Sequence, residues 1–193
     1  MRKFILFLGV LLFSMTVGAQ TYKLSDKDQK LLSQAAVDKV ERFQTNCRYI
    51  ADVNLSNTQK QNAIRTAMTD FMKGSKIVTT SLSGAKQKPK LVKTYLQRLA
   101  YNLPDVYAFI DITWTDCHVA SDFTKHPDKP NTYIGIVKVI QYFNAMTKEM
   151  KWKGDITERE IKIEAELTEI FANNTTRRQW SVKLGDVEGK AVQ

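Results

Sequence analysis

The sequence has few of the residues on which most metal and redox sites depend. Its 193 residues include only two histidines and two cysteines, with no CxxC pair and no His/Cys cluster at zinc spacing. The phosphate-binding P-loop, the dinucleotide fingerprint and the nucleophile elbow are also missing. We therefore predict no metal and no cofactor. Cys47 and Cys117 could form one disulfide that closes a loop of about 70 residues, or could remain as free thiols.

Proline and glycine are also sparse, with four and eight residues respectively. No stretch has the composition of an interdomain linker, and the chain contains no low-complexity tract or internal repeat. A length of this size suits one hydrophobic core. Residues 20–193 are therefore expected to form a single domain.

Long apolar runs are absent except at the start, which has the pattern of a secretory signal peptide. Arg2 and Lys3 precede an apolar run over residues 4–13, and Val17-Gly18-Ala19 supplies the small residues of a cleavage site. The apolar run is too short to span a bilayer, which requires about 20 residues. We predict that residues 1–19 are removed and that the protein is exported to the periplasm or the medium without a stable membrane anchor.

The chain is basic, with 29 lysines and arginines against 20 acidic residues and a net charge of +9. The positive residues are scattered and are not interleaved with aromatic residues on one exposed face. Together with export, this pattern argues against a nucleic-acid partner. A basic exported protein could instead favour anionic polymers, lipid headgroups or acidic ligands, or its charge could serve solubility alone.

The clearest secondary-structure signal lies between Ile156 and Ile170. Apolar residues alternate with charged ones over this stretch, which is typical of a strand with one packed face and one solvated face. On a helix the same charges would point in all directions and leave no common apolar face. The apolar positions are Ile161, Ile163, Ala165 and Leu167, and the charged positions are Glu158, Glu160, Lys162, Glu164 and Glu166.

The rest of the chain divides into helices followed by strands. Apolar residues at helical spacing predict three amphipathic helices, over residues 25–50, 56–71 and 89–103, with a short strand over residues 75–83. Pro104 is expected to stop the third helix. Four strands are predicted over residues 106–117, 132–145, 156–170 and 179–187. Apolar residues on both faces of the first of these favour a central strand, and Gly135 indicates a bulge or bend in the second.

This order of elements resembles the nuclear-transport-factor-2-like, or cystatin-like, α+β fold. The resemblance rests on the helix over residues 91–99 leading into residues 107–112, on Gln141-Tyr142-Phe143, and on the terminal stretch over residues 180–187. It is similar in particular to exported bacterial versions of this domain. It implies an α+β fold in which three helices from the N-terminal half pack on a curved, mainly antiparallel sheet that forms a cone with an apolar cavity.

The resemblance also suggests where chemistry would lie. The superfamily includes isomerases and dehydratases whose pockets use an Asp or His base with a Tyr or Asp donor. The candidates here are Asp111, Asp116 and His118 as catalytic residues, with Tyr107 and Tyr133 as pocket residues. Asp116 and His118 have strand spacing and could pair as a base and its orienting group. A surface or hydrogen-bonded role is the alternative, and no family motif transfers onto these positions residue by residue.

Two functions therefore remain open. The first is an exported, non-enzymatic domain of the cell envelope that binds a small apolar ligand or another envelope protein, and that could form a homodimer through its sheet. The second is a small-molecule isomerase or dehydratase with an acid or base in the cone pocket. A deep pocket with an ionisable group among apolar walls would favour the enzyme, and a filled cone with the acids outside would favour the binding domain.

Overall fold

The computed structural model of the protein describes residues 22–79, 87–172 and 175–192, so the predicted signal peptide lies outside the described residues. Two helices come first, α1 (Asp26–Ala51) and α2 (Asn57–Thr69). Each begins with a capping box, in which a serine before the helix exchanges hydrogen bonds with the residue three positions later. Within the described ranges, no helix has the length and apolarity of a membrane span.

The third helical segment begins and ends three residues later than predicted and is less regular. It begins as α3 (Val92–Gln97), passes through a π-helical turn (Arg98–Asn102) and ends as α4 (Leu103–Val106). The expectation that Pro104 stops the helix was wrong. This residue lies inside the continuous helical segment, at the start of α4 and directly after the π-helical turn, and the helix ends two residues beyond it.

The described strands are β1 (Lys76–Ile77), β2 (Lys90–Leu91), β3 (Tyr107–Val119), β4 (Thr124–Lys125), β5 (Thr132–Thr147), β6 (Trp152–Ala172) and β7 (Thr175–Ala191). They form one mixed sheet in the order β2-β1-β7-β6-β5-β3, and β4 pairs with β5. Among these strands, β1 and β7 run parallel and the other neighbours are antiparallel. The α+β class, with helices packed on a curved and mainly antiparallel sheet, is therefore confirmed.

The alternating stretch is an extended strand, as its pattern predicted. In β6 the apolar side is buried, with Ile161, Ile163 and Ala165 fully covered, while its glutamates lie on the other face. Inside the sheet, α1 supplies most of the covering side chains. Its buried stripe consists of Leu32, Ala36, Val40, Phe43, Cys47, Ile50 and Ala51, so this helix fills much of the space that the sheet encloses.

Three details of the sheet differ from the sequence-based expectations. β3 pairs only with β5 and is an edge strand, so its predicted central position was wrong. The short strand predicted over residues 75–83 is reduced to β1, and residues 80–86 lie outside the described ranges. Gly135 causes no register shift between β5 and β6. A Cβ there would lie 2.9 Å from the ring of Phe123, so close ring packing accounts for this glycine.

Candidate functional site

An open groove lies between the C-terminal end of α1 and the free edge of β3. It has a volume of about 760 Å³, and residues 45–54 line one wall while residues 108–111 line the other. Of the residues proposed as catalytic from the sequence, Asp111 belongs to this groove. The groove is therefore the site to which we assign function.

The sequence of α1 explains why the groove has apolar walls. The helix runs antiparallel to β3, since Phe43 packs edge-on against Trp114 at a ring distance of 5.4 Å, while Arg48 lies further along, beside Asp111. Tyr49 lies off the buried stripe of the helix and Val53 lies in the turn after it, and they are 45% and 42% exposed. They therefore present to the groove apolar surface that is not packed in the core.

Phe109 provides the apolar surface of the opposite wall. Its side chain is 46% exposed and contacts Trp152 edge-on, with ring centroids 6.1 Å apart. Isolated exposed apolar residues are common on protein surfaces, but three around one concave feature are a stronger signal of binding. The groove therefore offers aromatic and aliphatic contacts on both sides.

The polar part of the groove is an ion pair between the two walls. The Nε of Arg48 lies 3.6 Å from Oδ1 of Asp111, and the hydroxyl of Thr113 donates a hydrogen bond of 3.0 Å to Oδ2 of the same carboxylate. The Arg48 side chain is more than half exposed, so the pair stabilises the fold by at most about 1 kcal/mol. Both groups remain close enough to solvent to exchange this contact for a polar group of a ligand.

Asp116 and His118 do not form the expected base-and-orienter pair. Asp116 has a positive φ of 54°, and the register between β3 and β5 shifts between Thr115 and His118. This irregularity interrupts the strand alternation on which a shared face depended. His118 Nδ1 lies 2.7 Å from the backbone carbonyl oxygen of Asp116, not from its carboxylate, and both residues are exposed.

The two predicted pocket tyrosines lie far apart. Tyr107 is at the start of β3, opposite Thr147, and its ring contacts Phe143 at 6.0 Å. Tyr133 is at the other end of β5, is buried, and donates its hydroxyl proton to the backbone carbonyl of Tyr22. The structure therefore does not bring Tyr107 and Tyr133 into one pocket.

The inner face of the sheet carries a buried polar cluster that the sequence reading missed. Arg159 is only 2% exposed, and its Nε donates to Oε1 of Gln141 at 2.8 Å while Nη1 donates to the carbonyl oxygen of Val78 at 3.0 Å. Asp155 and Thr157 precede it on the same face, and the Thr157 hydroxyl lies 3.1 Å from the Asp155 carboxylate. Burial lowers the pKa of the Arg159 guanidinium. This cluster joins the sheet to the segment after β1.

Both cysteines are free thiols in the structure, which favours the free-thiol alternative over the disulfide. Cys47 is fully buried in α1, and burial raises the pKa of its thiol far above the ordinary value. Cys117 is half-buried in β3, and burial together with the negative charge of Glu41 raises its thiol pKa to about 11. Neither thiol is therefore activated as a nucleophile. Within the described ranges, no cluster of three or more His, Cys, Asp or Glu residues suits a metal ion.

A sequence signal existed for both features that the reading missed. Tyr49 is an apolar residue off the packed stripe of α1, Val53 is an apolar residue in the turn after it, and such residues mark surface that is apolar without being core. The alternation of β6 could have been extended backward by three periods. It would then have placed Arg159, Thr157 and Asp155 on the packed face.

Comparisons with known proteins add little to this site. No family model and no curated protein matches the chain. Among solved structures, the chain is similar to the crystal structure of a "putative scytalone dehydratase" from Novosphingobium aromaticivorans. The match has 8% sequence identity and a TM-score of 0.47, and it covers 86% of this chain and 89% of that chain. At this identity and score, the likeness carries no conclusion about activity.

Proposed function

We propose that this protein is an exported, non-enzymatic binding domain of the nuclear-transport-factor-2-like type, and that it holds a small, largely apolar ligand in the groove between α1 and β3. The observation that carries the proposal is the concentration of half-exposed apolar side chains, Tyr49, Val53 and Phe109, around one concave surface. The volume of the groove falls within the range of small-molecule sites, roughly 300–1,000 Å³.

The apolar contacts would supply most of the binding free energy. A ligand that covers the exposed parts of these side chains removes apolar area from water, which is worth roughly 25 cal/mol per Å². The Arg48–Asp111 pair adds orientation, because a polar group of the ligand can hydrogen-bond to either side chain. The preferred ligand therefore has an apolar body and one polar end.

The positions of the acid and base candidates support binding over catalysis. Asp111 pairs with Arg48 at an open surface, and Asp116 and His118 lie exposed further along β3. General acid–base catalysis needs such groups close to one another and to a sheltered reacting atom. Meanwhile α1 fills much of the cone with side chains that are fully buried.

An isomerase or dehydratase stays as a second candidate because of the polar cluster on the inner face. Asp155 is half-buried beside Thr157 and lies near the Arg159 guanidinium, so it is the carboxylate of the cone best suited to act as a base. This candidate requires turnover that is lost in Asp155→Asn and retained in Asp111→Asn. Ligand binding without turnover in the wild type favours the binding domain, and turnover lost in Asp111→Asn alone would indicate an enzyme that works in the groove.

Ligand binding is tested by screening the full chain against a metabolite panel by thermal shift and measuring hits by calorimetry. Phe109→Ala should weaken a hit about tenfold, since the truncation removes roughly 1–2 kcal/mol of contact. The matched control is Phe171→Ala, which removes an 80% exposed phenylalanine at the far end of β6. Equal affinity in the two variants would reject the groove as the site.

The outer face of the sheet supports a homodimer as part of the proposal. Tyr142 and Ile156 lie opposite each other in the β5–β6 register and are 37% and 40% exposed, and Trp152 nearby is 65% exposed. If two copies pair there, Ile156→Lys should convert the protein to a monomer in light scattering. Ile170→Lys, at a 43% exposed position near the tip of β6, should leave the oligomeric state unchanged. A wild-type monomer would refute this pairing.

A further inference from the structure

A group of unneutralised positive charges lies at the edge of the sheet that is opposite to the groove. Its members are Lys76, Lys88, Lys90, Lys93 and Arg98, which come from β1, the segment before β2, β2 itself, α3 and the π-helical turn. We call these five residues the basic patch. Among the described residues, none of the five side chains forms an ion pair with a carboxylate.

The members of the patch are close in space as well as in sequence. Lys76 lies opposite Leu91 in the β1–β2 register, which brings β1 beside the segment that leads into α3. The pKa of Lys90 is lowered, first by partial burial and then by the positive charge of Arg98. The carboxylate of Asp186 lies beside β1, where it accepts the backbone N–H of Lys76 at 2.8 Å. These contacts bring Lys76, Lys90 and Arg98 to the same edge of the sheet.

An exposed leucine lies within the patch. Leu91 is 49% exposed, directly between Lys90 and the buried Val92, and Lys93 follows on the first turn of α3. A basic surface that rests on a bilayer can use such a side chain, because the leucine can enter the headgroup region while the ammonium groups meet phosphates.

We propose that the basic patch binds this protein peripherally to a bilayer surface rich in anionic phospholipid, with Leu91 inserted at the interface. The proposal is independent of the ligand in the groove, since the patch is on the β2 edge and the groove is on the β3 edge. It needs no spanning helix, and binding should be reversible and weakened by salt, since ionic screening acts on exposed charges.

The test is cosedimentation of the full chain with two kinds of vesicle, one of phosphatidylcholine alone and one of phosphatidylcholine with about 30% phosphatidylglycerol. The wild type should partition at least tenfold more strongly onto the anionic vesicles at low salt. Lys88→Gln/Lys93→Gln/Arg98→Gln should lower that partition coefficient roughly 100-fold, since each cation near an anionic surface contributes about fivefold. These three side chains are exposed, so the variant should fold normally, which circular dichroism would verify.

The matched control is Lys23→Gln/Lys27→Gln/Lys30→Gln, which removes the same charge from exposed positions around the start of α1. Because the N-terminal apolar run is present in every variant, its own affinity for vesicles cancels in the comparison. An equal loss of binding in the two triple variants would show a net-charge effect and overturn the proposal.

Two further outcomes decide the nature of the partner. Leu91→Ala should weaken binding to the anionic vesicles roughly fivefold while leaving its salt dependence unchanged, because it removes apolar contact without removing charge. A wild type that binds polyglutamate through the basic patch but does not distinguish the two kinds of vesicle would overturn the proposal. It would indicate an acidic protein as the partner.

Discussion

Arg159 offers the sharpest test of how this fold is held together. Its guanidinium is buried at 2% exposure and donates hydrogen bonds to Gln141 on β5 and to the carbonyl of Val78, which follows β1. These contacts link two strands of the sheet to the segment after β1. Arginine stays protonated near neutral pH, so the fold contains a buried positive charge that depends on these acceptors.

We expect Arg159→Ala to lower the free energy of unfolding by about 3–5 kcal/mol. Two hydrogen bonds from a charged donor are lost, each worth roughly 1.5–3 kcal/mol, and two acceptors are left buried without partners. Relief of the desolvation of the charge offsets part of this loss. Arg159→Met should be less damaging, at about 2–3 kcal/mol, because it fills the space of the apolar stem and leaves only the acceptors unsatisfied.

Equilibrium urea denaturation of the two variants measures these values. Gln141→Ala and the double variant with Arg159→Ala complete a double-mutant cycle, in which we expect a coupling energy of about 1.5–3 kcal/mol. A loss below about 1 kcal/mol in Arg159→Ala, or a coupling energy below about 0.5 kcal/mol, would refute the role given to this residue.

The remaining predictions concern packing, acidity and thiols. Gly135→Ala should cost about 1–3 kcal/mol in urea denaturation, because its Cβ would lie 2.9 Å from the buried ring of Phe123. The pKa of Asp28 is lowered from 3.8 to about 2, chiefly by the hydrogen bond that its carboxylate accepts from the Ser25 side chain. The ionised Asp28 therefore stabilises the fold fully above about pH 4, and this stabilisation is lost as the pH falls towards 2. The difference in unfolding free energy between the wild type and Asp28→Ala should disappear over the same pH range. Without reductant, the unfolded protein should show two thiols with Ellman's reagent, while in the native state Cys117 reacts slowly and Cys47 does not react; an absence of thiols would establish a disulfide.

Much of the fold could be predicted from the sequence because its periodic signals are strong. The alternation in β6 is long enough to exclude a helix, and the stripe of α1 from Leu32 to Ile50 matches the residues that are buried. The helix starts were also predictable, since Ser25 has the side chain that satisfies free N–H groups and Asp28 completes the capping box. These features depend on residues that are close together in the sequence, so one sequence is enough to predict them.

The features that could not be predicted depend on contacts between distant segments. Apolar residues on both faces of β3 favoured a central strand, but β3 is an edge strand on which Phe109 is half-exposed and lines a surface groove. Gly135 was interpreted as a bulge or bend because the residues next to it in the sequence do not show that the ring of Phe123 packs against it. In each case the sequence showed an unusual residue at that position. The surroundings that explain the residue come from distant parts of the chain.

The candidate site was predicted only in part, for a related reason. Asp111 lies in the groove, but its partner Arg48 comes from a helix more than 60 residues earlier in the chain. The spacing of Asp116 and His118 places both side chains on one face only if the strand is regular. The positive φ at Asp116 shows that the strand is irregular there. A reading of spacing cannot anticipate such a break, because aspartate is also common in regular surface positions.

The way α1 packs on the sheet determines which surfaces are left for function. Its buried stripe fills much of the inside of the sheet, so the boundaries of the packed region are the surfaces most open to a ligand. Those boundaries differ in chemistry, since the β3 edge carries half-exposed aromatic and aliphatic side chains while the β2 edge carries the basic patch. Since the two edges lie at opposite ends of the strand order, one can rest on an anionic surface while the other stays open to a ligand. The two proposed contacts are therefore compatible with each other, because neither has to displace the core or the other contact.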